Sequence, residues 1–126
     1  MAGGALVPCG CLAAALALSA CATAITPDSP KAVRAQPIAP YEWHEECLHL
    51  VVGDRLEFAF EATEPVDFNV HYHEGKTVVM PISRDKTRAD AGVFAPSIAQ
   101  DYCLTWEAGA SGALLDYRVR LRPAGT

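Results

Sequence analysis

Charge is missing from the start of this chain. No Asp, Glu, Lys or Arg precedes Asp28, although fifteen acidic and ten basic side chains follow over the remainder of the 126 residues. A basic excess is missing as well: the formal charge is -5. That balance argues against non-specific binding to nucleic acid, which needs a basic patch, and against adhesion to an anionic membrane by charge alone. No amphipathic helix longer than about two turns can be drawn, so parallel strands with helical crossovers are excluded. Motifs of catalysis are equally scarce. There is no Gly-rich phosphate loop, and Ser83, Ser97 and Ser111 stand in no nucleophile context. Glu45 and Glu46 are adjacent and would face opposite ways on a strand, so they do not jointly flank a bond. These absences point to a non-enzymatic protein.

What the uncharged start does contain is an Ala/Leu run from Leu12 to Leu18, extending an apolar stretch that begins at Ala5. Its length suits a secretory h-region and falls short of a transmembrane helix of roughly 20 residues. Leu18-Ser19-Ala20-Cys21 follows, and it resembles a bacterial lipobox. The resemblance implies a signal peptide over residues 1–20, cleavage before Cys21, and lipid on the Cys21 thiol. A plain secretory signal cut after Ala20 or Ala22 is the alternative, and the n-region lacks the usual Lys or Arg. Ala22 in place of Asp leans a Gram-negative lipoprotein towards the outer membrane, facing the periplasm. The expected partners are therefore the membrane, through an N-terminal lipid, and an envelope protein or small ligand; nucleic acid is not among them.

Cysteine usage agrees with export. Of five cysteines, Cys9 and Cys11 would leave with the signal and Cys21 would carry lipid. Cys47 and Cys103 remain as one pair in an oxidising compartment. Bonded, they would close a loop worth about 4 kcal/mol in the chain-entropy model.

Residues 21–40 hold Pro27, Pro30, Pro37 and Pro40 and no apolar periodicity. This predicts a disordered, partly extended linker that could reach on the order of 60 Å. The folded domain is expected over residues 41–123. Period-two alternation marks strands at about Glu46–Val52, Arg55–Ala62, Pro65–Gly75, Thr77–Ile82, Val93–Ile98, Asp101–Glu107 and Leu115–Arg122. Pro81 assigns its strand end to an edge or bulge, and Ser83–Gly92 reads as a charged, mobile loop. The fold class is all-β: an antiparallel β-sandwich of about seven short strands.

The clearest alternation is Pro65–Gly75. Val66, Phe68, Val70 and Tyr72 share one face; Asp67, Asn69, His71 and His73 share the other. Two imidazoles about 6.5–7 Å apart along a strand can share one metal ion. Copper or zinc would need further ligands, drawn from Asn69, Asp67, Glu74, His44, His49 and Glu45. No H-x-x-x-H or C-x-x-C motif fixes the set, and a solvated sheet face or a pH-sensing pair accounts for the same residues. Trp43 and Trp106 read as core residues before they read as a ligand platform. Arg118, Arg120 and Arg122 form a stripe that Glu57 and Glu61 on a neighbouring strand would neutralise, with phosphate binding as the alternative.

Two resemblances add to this. The run G-D-R-L-E-F-A-F-E-A, then P-V-D-F-N-V-H-Y-H-E-G, G-V-F-A-P, D-Y-C-L-T-W-E and L-D-Y-R-V-R-L resembles the GOLD domain over about residues 46–122. Tyr102, Cys103, Leu104, Trp106 and Tyr117 match its last two strands, and Cys47 with Cys103 could match the disulfide of some members. The sequence also resembles small uncharacterised bacterial lipoproteins with a V-D-F-N-[IV]-H-Y-H-[ED]-G signature. The first resemblance implies a non-catalytic interaction module on a β-sandwich; the second implies a lipoprotein without an assigned activity. Together they give a lipid-anchored envelope binding module, with a periplasmic Cu/Zn-binding protein as the alternative.

Overall fold

A computed structural model describes residues 24–125. The signal segment and the Leu18–Cys21 motif lie outside the described residues. Among those described there is no helix. Six strands run in order: β1 (Lys31–Ile38), β2 (Trp43–Leu50), β3 (Arg55–Glu74), β4 (Thr77–Phe94), β5 (Gln100–Ala108) and β6 (Ala113–Arg122). They form one antiparallel sheet in the order β1-β6-β3-β5-β2, with β4 on the opposite side of β3.

The sheet is organised by β3, which is 20 residues long. Its first half pairs with β6, from Arg55↔Arg122 to Ala62↔Leu115. Its second half pairs with β5, from Val66↔Ala108 to His71↔Cys103. Thr63-Glu64-Pro65 lies between the two ladders, where Pro65, with no N–H to donate, is tolerated. The expected turn at these residues is therefore a bend within one strand, and the expected seven short strands become six, two of them long. The bend curls the sheet so that both halves cover one core. Phe68 of the second half meets Phe58 and Phe60 of the first at ring-centroid distances of 5.1 and 4.8 Å. Trp106, fully buried, lies 5.9 Å from Phe60 and 4.9 Å from Tyr117.

Two further expectations are corrected. Lys31–Ile38, inside the stretch read as a disordered linker, is strand β1 paired with β6. Ile25 and Val33 pack against the core, and Ile38 is buried in it. The charged segment Ser83–Gly92, read as a mobile loop, is part of β4 and pairs with β3. Pro81 falls at a register shift between Val79 and Ile82, as an edge or bulge position should.

The sheet ends, β1 and β2, are held together by side chains across the core opening. Lys31 Nζ lies 2.5 Å from Glu46 Oε1. The Tyr117 hydroxyl donates to the same oxygen, and His44 Nε2 lies 2.9 Å from Tyr117 Oη. Cys47 and Cys103 are bonded. They face each other on neighbouring strands β2 and β5, with Cα atoms 4.1 Å apart across a sequence separation of 56.

Candidate functional site

The outward face of β3, β5 and β2 gathers the polar residues into rows. The ladders set His71 beside Cys103 and Cys103 beside Cys47. One step along, Asn69 lies beside Thr105 and Thr105 beside Glu45. Because side chains alternate, all six point away from the core. The disulfide thus sits in the middle of the face that carries the histidines.

His71 is the centre of the cluster. It is 8% exposed, walled by neighbouring strands, whereas His73 and Glu45 are exposed. Its Nδ1 lies 2.8 Å from Asn69 Oδ1. An amide oxygen only accepts, so Nδ1 carries the proton and donates it. In the neutral ring Nε2 is then an unprotonated lone pair. That nitrogen lies 4.0 Å from Glu45 Oε2, which accepts a hydrogen bond from the Thr105 hydroxyl at 3.0 Å. Glu45 Oε1 lies 3.3 Å from Cys47 Sγ. The ring of His73 stands edge-on to that of His71 at 5.2 Å. Burial lowers the pKa of His71; the Glu45 carboxylate opposes this and His73 adds to it. The neutral, metal-ligating form is the one favoured by burial.

Among the described residues, ligand atoms of Glu45, His71 and Cys103 all lie within 4.8 Å of one another. Two ligand atoms tetrahedrally bound to one zinc ion sit about 3.3 Å apart, given bonds of roughly 2.0–2.1 Å. A rotation of the exposed Glu45 side chain would close the 4.0 Å gap to that value. The hydrogen bond from the second ring nitrogen of His71 to Asn69 orients the ring as an outer-shell partner does for a metal-binding histidine.

The other sequence candidates separate from this centre. Asp67 accepts the backbone N–H of Lys86 at 2.8 Å, supporting a left-handed residue (φ 47°) in β4. His49 pairs with Asp101 at 2.8 Å, both well exposed. His44 is on the opposite face with Tyr117 and Trp106, because even-numbered β2 residues point inward. Glu74 ends β3 in solvent. Trp43, expected in the core, is 62% exposed, while Trp106 is buried. Of the arginine stripe, Arg122 Nε lies 3.0 Å from Glu57 Oε1, the cross-strand pairing expected for it.

Thr105 and the disulfide are the neighbours that sequence reading did not attach to His71. Their outward parity was readable; the register that places them beside His71 was not. No protein-family model matches the chain, and no curated protein gives a significant match.

Proposed function

We propose that this chain is a non-catalytic binding module of the bacterial cell envelope, lipid-anchored through Cys21 and built on a GOLD-like sandwich, whose ligand is a copper or zinc ion held by His71, Glu45 and His73. The observation that carries this reading is the meeting of two acceptors. In neutral His71 the Nε2 lone pair faces the Glu45 carboxylate at 4.0 Å, and the same carboxylate oxygen accepts from the Thr105 hydroxyl. A cation satisfies both. The lipobox-like segment, the surviving cysteine pair and the lack of a nucleophile or phosphate loop support an exported binding protein over an enzyme.

A protein partner is the second reading, favoured by Tyr41 and Trp43. They are 70% and 62% exposed at the start of β2, which ends the strand order and offers its outer edge.

Equilibrium dialysis with Cu²⁺ and Zn²⁺ separates the two. The oxidised domain should bind one ion more tightly than about 1 mM, and His71→Ala/His73→Ala should abolish that binding. Weaker binding, or binding unchanged in the double variant, removes the metal reading and leaves the β2 edge as the binding surface.

A further inference from the structure

The disulfide lies beside the candidate metal site, and its two cysteines differ in exposure. Cys47 is exposed and Cys103 is half-buried beside His71. Glu45 touches both ends of the arrangement, with Oε1 at 3.3 Å from Cys47 Sγ and Oε2 at 4.0 Å from His71 Nε2. In the oxidised state the sulfurs are spent on each other and are poor ligands. As thiolates they are strong ones for zinc and copper(I).

We propose that Cys47–Cys103 is a redox lock on metal affinity: its reduction adds the Cys103 thiolate to His71 and Glu45, converting a weak nitrogen–oxygen site into a sulfur-containing one. This deepens, and rests on, the reading of His71 as a metal ligand. The reductant is a dithiol. Its thiolate attacks the exposed Cys47 sulfur, breaking the S–S bond and expelling the Cys103 thiolate. The second thiol of the reductant then displaces Cys47 and leaves as a disulfide. Two electrons pass from the dithiol to the cystine, and its two protons balance the two protein thiols. When metal binds, each coordinating thiol releases its proton to solvent.

Three features of the structure converge on this site. The cross-strand pairing keeps both cysteines on the outward face whether or not they are bonded, because the β2–β5 ladder runs from Trp43↔Glu107 to Leu50↔Gln100. His71 is oriented by Asn69 with its lone pair towards Glu45, and a ligand atom of each of His71, Glu45 and Cys103 lies within 4.8 Å of the others. Thr105 holds Glu45 from below. The core lies on the other face of these strands, so exchange at the sulfurs takes place outside it.

The test is zinc competition against a chromophoric chelator, run on the oxidised protein, on the dithiol-reduced protein with excess reductant removed anaerobically, and on two variants. Cys47→Ser retains Cys103 as a free thiol; Cys47→Ser/Cys103→Ser retains neither. Circular dichroism checks that each sample is folded. Reduction should tighten zinc binding on the order of tenfold or more, Cys47→Ser should reproduce a tightening over the double variant, and His71→Ala should remove it. Oxidised protein that binds zinc through His71 but gains nothing on reduction overturns the lock while keeping the site. Oxidised protein that binds no zinc, with tight His71-independent binding after reduction, overturns the site reading and the inference with it. Loss of fold in both the reduced protein and Cys47→Ser also overturns the inference, since a lock must open without unfolding its host.

Discussion

Asn69 decides what His71 is. By accepting from Nδ1 at 2.8 Å it fixes the tautomer of the neutral ring and leaves the Nε2 lone pair towards Glu45. A sequence that spells Asn-x-His on one strand face makes this contact available, since residues two apart share a face. The opposite face holds a different titrating group. Tyr117 has its pKa raised by burial first, and then by its hydrogen bond to Glu46 and the charge of that carboxylate. Tyr102 is raised as well, chiefly by burial. In both cases the folded state holds its proton to higher pH than the unfolded chain, whose tyrosines titrate at about 10. This stabilisation is whole below that pH and is lost as pH rises above it. Urea denaturation between pH 8 and 11 should show stability falling on the alkaline side. Tyr117→Phe should flatten that fall in part, with Tyr102 accounting for the remainder. An unchanged slope in the variant would mean that Tyr117 is not protected by the Glu46 cluster.

Strands β1 and β4 show how a bulge conceals an element. In β1 the core-facing residues are Lys31 and Val33, then Gln36 and Ile38, because one extra residue enters between Val33 and Gln36. That insertion shifts the phase of the alternation, so the stretch reads as aperiodic linker. The extra residue is accommodated at Ala35, which takes φ 53° and donates its N–H to Asp116 Oδ1 at 2.7 Å. A non-glycine residue pays a steric penalty in that conformation. Ala35→Gly should therefore stabilise the domain by about 0.5–1 kcal/mol, seen as a higher urea midpoint with unchanged m. A lower midpoint would place the bulge elsewhere. In β4 the same effect acts twice, at Lys86 (φ 47°) and near Pro81, which is why its charged half resembled a loop. By contrast β3, β5 and β6 were legible, because their inward residues never change parity: Leu56, Phe58 and Phe60 continue in phase into Val66, Phe68 and Val70. The histidine face was legible for the same reason. Its partners were not, since strand order and register are set by packing of residues far apart in sequence.

The whole domain is one curled sheet closed at its open side. β3 spans both halves, and the aromatic core of Phe58, Phe60, Phe68 and Trp106 fills the fold. The Lys31–Glu46–Tyr117 group joins the two sheet ends. The disulfide is placed differently. It links β2 and β5, strands already paired, and it lies on the outer face beside His71 instead of across the core. The proposal is that this outer site holds a metal ion through His71. Zinc-edge X-ray absorption on the zinc-loaded oxidised protein probes that coordination. Nitrogen and oxygen neighbours at about 2.0–2.1 Å with imidazole scattering are expected, and no sulfur at about 2.3 Å until the disulfide is reduced. A spectrum without imidazole, or one unchanged in His71→Ala, would contradict it.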